Sequence, residues 1–179
     1  RLLGKTVVFT LHGGAIPDKV KKHPRWYRRV LSRGAVITCP SGYLIHHLQA
    51  LGLNFQLIEN TIPLADYHFQ EKKVFRPRLL WMRSFHPIYH PEMALEVAKL
   101  LQPRFPDLEL YMAGTDVGYL NSTQQLAKEM GLEKQVFFPG YIDIDKKNQL
   151  AEACDLYLCT NRIDNTPVSL IEMMALGVA

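Results

Sequence analysis

Cysteine is scarce in this sequence and forms no pairing pattern: Cys39, Cys154 and Cys159 are an odd set among 179 residues, with no Cys-x-x-Cys spacing. Their helix-like and strand-like apolar surroundings predict free, buried thiols in a reducing cytoplasm rather than a disulfide framework. Long hydrophobic runs are missing too, and none approaches the ~18 residues that a membrane-spanning helix needs. There is no Gly-x4-Gly-Lys-Ser/Thr loop, which excludes a P-loop nucleotidase. Ser41, Ser169 and Cys159 stand without a partner His and acid in a motif context, so nucleophilic hydrolase chemistry has no support. His86 and His90 have the spacing of a helical metal pair, but Pro87 and Pro91 place them in a loop and no acid cluster joins them. No metal ion is expected. His46 and His47 read as polar helix surface. The start, Arg1-Leu2-Leu3-Gly4-Lys5, has neither initiator Met nor a signal-peptide hydrophobic core, and Gly177-Val178-Ala179 stops where another strand is due, so a fragment of a longer protein is expected.

What is present is ordinary in amount and uneven in place. Hydrophobic residues at 47% and charged residues at 21% suit a soluble globular chain, long enough for one good core or two partial ones. The net charge is +4, yet between Asp18 and Arg33 stand seven cations (Lys19, Lys21, Lys22, Arg25, Arg28, Arg29, Arg33) against one acid, which leaves the rest slightly acidic. Trp26, Tyr27, Val30 and Leu31 interleave with these cations at helical spacing. Two readings stay open for Lys19 to Arg33: a solvated helix face whose aromatics pack on a sheet, or a basic amphipathic helix in peripheral contact with an anionic membrane. No nucleic-acid motif accompanies the charge, and no nucleic-acid partner is expected.

Strand-like apolar runs alternate with amphipathic stretches. Strands are predicted at Thr6–Leu11, Ala35–Cys39 and Phe55–Ile58, with helices over Pro24–Ser32 and over Ser41–Leu51, the latter ended by Gly52. The rhythm lapses from Glu59 to Pro77. It resumes with strands at Arg78–Met82, Leu108–Ala113, Val136–Phe138 and Leu156–Cys159, and helices at Pro91–Leu101, Ser122–Met130, Asp145–Ala153 and Val168–Leu176. Continuous apolar strands between helices predict an α/β fold with parallel sheets covered on both faces. The lapse divides the chain into residues 1–60, a linker 61–77 and residues 78–179, two Rossmann-like blocks that are both incomplete. Apart from this rhythm there is no internal repeat and no low-complexity segment.

The tail carries the chemistry. Asp164-Asn165-Thr166-Pro167-Val168-Ser169-Leu170-Ile171-Glu172 follows a predicted strand and opens a predicted helix, with Pro167 suited to its first position. A helix start outside a parallel strand offers unpaired N–H groups and the positive end of a dipole to an anion. Two acids eight positions apart flank it. A nucleotide-sugar needs both: amides for the diphosphate, carboxylates for sugar and ribose hydroxyls.

This arrangement, closing in Met174-Ala175-Leu176-Gly177, resembles the donor-site signature of retaining GT-B glycosyltransferases, family 4. The family's first acid is usually Glu and here is Asp164; Glu172 matches directly. The resemblance covers nearly the whole chain and about half of a parent enzyme. It implies that residues 1–60 are the last part of an acceptor-side domain and residues from 78 the first part of a donor-binding domain. It implies that Arg83, after the strand Leu79-Leu80-Trp81-Met82, holds the diphosphate; the family's Gly before this Arg is Met82, and the Lys that usually follows is missing. It implies that His12 and Gly13 face the donor sugar, that Gly114 of Gly114-Thr115-Asp116 sits near the nucleotide, and that the backbone of Tyr141 and Ile142 faces the base. Asp164 and Asn165 would meet the sugar, Thr166, Pro167 and Val168 the diphosphate, and Glu172 the ribose. Asn60 matches a family Asn at the start of the linker and reads first as turn chemistry.

The activity so implied is transfer of a sugar, with retention, from a nucleoside-diphosphate sugar to a hydroxyl acceptor (glycan, lipid-linked or small) in polysaccharide or glycolipid assembly. The nucleotide-sugar is substrate, with no cofactor. The expected location is the cytoplasm, including the inner membrane face. A nucleotide-sugar epimerase of similar fold and a non-catalytic donor-binding fragment remain as alternatives.

Overall fold

A computed structural model describes residues 4–178; the expected termini at residues 1–3 and 179 lie outside the described residues. The contacts divide the chain into two compact units, the first ending in sequence at Thr61 and the second starting at Ile62, with Ile163–Pro167 counting with the first.

In the first unit, β1 (Val8–Thr10), β2 (Val36–Cys39) and β3 (Gln56–Leu57) form a parallel sheet in that order. Val8 lies opposite Val36, and Thr38 opposite Gln56. Helices α1 (Ile16–Lys22), α2 (Pro24–Leu31) and α3 (Gly42–Leu48) supply a small core in which Val20, Leu31, Leu44 and Leu48 pack with Ile37 and Cys39. Ser41 caps α3, its Oγ accepting from Leu44 N at 3.2 Å, and Gly52 ends the following 3-10 turn in the left-handed conformation.

The basic stretch departs from expectation: it is two helices, not one. His23 breaks the run at φ −135°, and Pro24, which has no N–H to give a preceding turn, starts the second helix. Pro17 marks the start of the first in the same way.

The second unit contains β4 (Arg78–Met82), α4 (Pro91–Leu101), β5 (Glu109–Ala113), α5 (Leu120–Glu129), β6 (Val136–Gly140), α6 (Ile144–Ala153), β7 (Leu156–Tyr157) and α7 (Val168–Leu176). Its strands are all parallel, in the order β6-β5-β4-β7. Strand side chains alternate between faces, so β4 feeds two cores. Leu79 and Trp81 pack with Ala94, Leu95, Leu110 and Met112, whereas Leu80 and Met82 pack with Ala151, Tyr157, Met173 and Leu176. A strand covered on both faces has to be apolar throughout, which is why RLLWM shows no polar alternation. Full burial of each such side chain contributes about 1.5–3 kcal/mol.

Helix α7 spans Val168–Leu176 as expected, with Pro167 just before it rather than at its first position. Strand β7 is only two residues long, and Cys159 beyond it is exposed rather than buried; Cys39 and Cys154 are buried free thiols.

The irregular stretch from Ile62 to Pro77 is bound to the second unit along its length. Gln70 N donates to Leu176 O at 3.2 Å, Lys72 Nζ to Ala151 O at 2.8 Å, and Arg76 N to the buried carboxylate of Asp155 at 2.9 Å.

Candidate functional site

In the second unit the chain runs outward from β4 through β5 to β6 and then returns to the other side of β4 as β7. The loops after β4 and β7 therefore diverge, and such a switch point is where open α/β sheets leave a crevice. A cavity of about 330 Å³ lies there, lined by Met82, Arg83, Ser84, Tyr89, Gly114, Thr115, Tyr141, Ile142, Lys147, Val168, Ser169 and Glu172. Its walls come from the carboxyl ends of β4, β5 and β6, from α6, and from the start of α7.

Arg83 is held firmly. Its N–H continues the ladder to Ala113 O at 3.0 Å, its guanidinium lies 4.9 Å from the centre of the Tyr89 ring, and its Nε donates to Asn161 Oδ1 at 3.4 Å. Thr160 ties this neighbourhood together: its hydroxyl accepts from Trp81 Nε1 at 2.8 Å and donates to Tyr89 O at 2.7 Å. Gly114 has φ +154°, and a Cβ there would overlap the Arg83 carbonyl. Glycine is therefore required for the loops after β4 and β5 to lie together.

Val168 and Ser169 bring the first turn of α7, with its unpaired N–H groups, to the cavity. Tyr157 fixes that turn against β4: its hydroxyl is 3.2 Å from Met82 O and 2.8 Å from Ser169 Oγ, donating to the carbonyl and accepting from the serine. Burial pushes the Tyr157 phenol up to about 12. Glu172, one turn further, receives two donors on Oε1: Lys147 Nζ at 2.7 Å and the Tyr67 hydroxyl at 2.8 Å. Burial first, and then this bond to Glu172, push Tyr67 up to about 12. Tyr141 stands at the rim, 77% exposed.

Of the residues singled out from sequence, Arg83, Gly114, Tyr141, Val168 and Glu172 are thus brought together in one cavity. Ile142 lines the same cavity, whereas His12, Gly13, Asn60, Asp164, Asn165, Thr166 and Pro167 belong to the first unit. His12 and Gly13 follow β1 and are exposed, and Gly13 O accepts from Ile16 N at 3.0 Å. Within Ile163–Pro167, Asn165 N donates to Asp164 Oδ1 at 2.7 Å, and the Ser41 hydroxyl donates to Asn165 Oδ1. Asn60 Nδ2 donates to Thr166 O at 3.1 Å, and the Thr166 hydroxyl to Pro40 O at 3.3 Å. Asn165 Nδ2 is buried without a partner among the described residues. His86 Nδ1 accepts from Ile88 N at 3.1 Å, which is turn chemistry.

Sequence reasoning missed Tyr67, Lys147, Tyr89 and Tyr157. Tyr67 sat in a stretch read as linker, and Lys147 on a predicted helix to which no site role was given. Only Tyr157 left a signal, as an aromatic hydroxyl inside a buried strand.

The family model described as glycosyl transferases, group 1, matches residues 66–179. No curated protein sequence matches the chain. Among solved structures, sucrose-phosphate synthase from Thermosynechococcus elongatus superposes with a TM-score of 0.80 at 15% identity, over 96% of this chain and 48% of that one. Anabaena HepE, solved with UDP and glucose, gives 0.79 at 16% identity, over 96% and 51%. A mutant of S. aureus TarM, solved with fondaparinux, alpha-GlcNAc-glycerol and UDP, gives 0.77 at 16% identity, over 95% and 35%. The chain therefore spans between about a third and a half of these proteins, and shares with them the GT-B type of α/β fold.

Proposed function

Because the chain belongs to the group 1 glycosyl transferases, we propose that it serves the transfer of a sugar, with retention, from a nucleoside-diphosphate sugar to the hydroxyl of a glycan, lipid-linked or small acceptor. One observation carries this reading: a guanidinium, a helix start and a carboxylate share one cavity at the carboxyl edge of a parallel sheet. That is the set a nucleoside diphosphate requires. Arg83 and the N–H groups of Val168 and Ser169 bind the diphosphate, and Glu172 accepts hydrogen bonds from the ribose hydroxyls.

In the reaction the bond between the sugar's anomeric carbon and the diphosphate oxygen breaks, its electron pair leaving with the phosphate. The acceptor oxygen bonds to the same carbon on the same face, and its proton passes to the departing phosphate. Negative charge grows on the leaving group, so donors already aimed at it lower the barrier. Roles at the sugar for His12, Gly13, Asp164 and Asn165 follow from the sequence resemblance; the unpaired buried amide of Asn165 suits a hydroxyl partner. Thr166 and Pro167 shape the entry to α7. No metal or cofactor is assigned.

We assign the protein to the cytoplasm with peripheral contact at an anionic membrane face, in polysaccharide or glycolipid assembly. The support is α1 and α2: their six cations and Arg33 just beyond them are all exposed, and so is Trp26 at 59%. Among the described residues no helix is long and apolar enough to cross a membrane.

A calorimetric screen of nucleoside-diphosphate sugars tests the reading. Arg83→Ala and Glu172→Ala should each weaken donor binding by about 1.5–3 kcal/mol, the range for a hydrogen bond to a charged group. Unchanged affinity in both removes the assignment. Isomerised donor without an acceptor would favour the epimerase alternative.

A further inference from the structure

Glu172 is not simply an acid in a cavity. Its Oε1 is bonded at once by Lys147 Nζ from α6 and by the Tyr67 hydroxyl from the strap before β4, at 2.7 and 2.8 Å. The Lys147 and Glu172 side chains are only 17% and 12% exposed, so the ion pair is largely out of water. A carboxylate offers about four acceptor positions. Both donors occupy one oxygen, and Oε2 has no protein partner among the described residues. A carboxylate fixed by two donors on one oxygen and open on the other is oriented before any ligand arrives. Such preorganisation lowers the cost of ordering a side chain on binding.

We infer that Lys147 and Tyr67 are positioning residues that turn Glu172 into a reader of the ribose hydroxyls, so that the cavity prefers ribonucleoside diphosphates to their deoxy counterparts. The inference rests on the donor-site reading above. Lys147 holds Oε1 of the carboxylate through the ion pair at 2.7 Å, and the Tyr67 hydroxyl on the same oxygen at 2.8 Å stops its rotation. Both act through the angle at which Oε2 is presented.

Lys147 reaches from α6 to Glu172 on α7, so its amine lies on the carboxylate at 2.7 Å while its side chain forms part of the cavity lining. A methionine of similar length would fill the same space without a charge. The two roles, space and charge, can therefore be separated.

The experiment is a binding titration of the full chain with UDP, GDP and ADP and with the 2′-deoxy form of whichever binds most tightly. The wild type should prefer the ribose form by about tenfold, the scale of one hydrogen bond to a charged acceptor. Lys147→Met should bring that ratio below about threefold, Lys147→Arg should restore it, and Tyr67→Phe should lower it by less than Lys147→Met does. Thermal unfolding run alongside identifies a merely structural role, which would lower the melting temperature with the ratio unchanged. A wild-type ratio preserved in Lys147→Met overturns the inference. Should that variant fail to fold, Tyr67→Phe decides, since it removes one oxygen only, and an unchanged ratio there overturns the inference equally. If no nucleoside diphosphate binds the wild type, the donor-site reading falls and takes this inference with it. If they bind without preference for ribose, the inference falls together with the ribose role of Glu172, and the diphosphate site of Arg83 and the α7 start stands.

Discussion

At the end of β1, His12 and Gly13 are exposed, and a single carbonyl bond from Ile16 N shapes the turn. At the end of β4, Arg83 is tied by a ladder bond, an aromatic ring and an asparagine, with Gly114 packed against its carbonyl. Both loops follow a parallel strand. The difference lies in what stands behind them: β1 is three residues with an exposed, half-buried, exposed pattern, whereas β4 is central in its sheet and buried almost throughout. A strand covered on both faces lends its rigidity to the residue that follows it. A thinly covered strand leaves that residue free to adapt.

The sharpest way to break this contrast is to put the same methyl group into both loops. Gly114→Ala forces a Cβ into the Arg83 carbonyl at φ +154°; a loss of about 3 kcal/mol or more is expected in a denaturant titration. Gly13→Ala meets only Ile16 at 3.4 Å, an ordinary contact, and should change stability by less than about 1 kcal/mol in either direction. Equal losses would show that the two loops are equally constrained.

A smaller effect is expected from Tyr157→Phe. It leaves the Met82 carbonyl and the Ser169 hydroxyl without their common partner, at a cost of about 1–3 kcal/mol. The loss should be accompanied by weaker nucleotide binding, since the start of α7 loses its tie to β4.

Alkali should act on the second unit first. Tyr67 and Tyr157 have folded values near 12 against an ordinary value of 10, so between pH 10 and 12 the unfolded chain releases these protons while the folded one keeps them. The stability they contribute is complete below pH 10 and is lost as pH rises toward 12. In unfolding curves from pH 9 to 12, Tyr67→Phe and Tyr157→Phe should each flatten this decline.

Least of all should stability respond to Arg25→Glu and Arg28→Glu on α2, both exposed: less than about 0.5 kcal/mol by thermal unfolding. Cosedimentation with anionic vesicles should fall clearly with the same pair, and binding equal to that on neutral vesicles would remove the membrane contact from the proposal.

How far the sequence revealed these features follows from the same contrast. The bounds of β4, α4 and α7 were readable because a doubly covered strand is apolar throughout and because Pro91 opens α4. Arg83, Gly114 and Glu172 were singled out through the resemblance to the donor-site signature, which strand ends and a helix start accompany in the sequence. The start of α2 at Pro24 was readable too, but α1 was not, because Ile16, Pro17 and Val20 are too few apolar positions among lysines to show a helical period. Cys159 misled because β7 stops at Tyr157, beyond which alternation no longer governs burial. Tyr67 and Lys147 were out of reach for a different reason: they lie 105 and 25 positions from Glu172, and only folding brings them to it.

The strap from Ile62 to Pro77 also dictates where the chain can be cut. Asp155 is fully buried, and its Oδ2 is held by Arg76 N at 2.9 Å and Arg76 Nε at 3.4 Å, while its Oδ1 has no partner among the described residues. An expression boundary placed at β4, where regular structure starts, would strip that carboxylate of its cation and leave a bare charge inside the protein. A boundary before Ile62 keeps Arg76 on Asp155 and Tyr67 on Glu172, so a piece made for crystallisation or ligand screening should begin sixteen residues ahead of the first strand it is meant to contain.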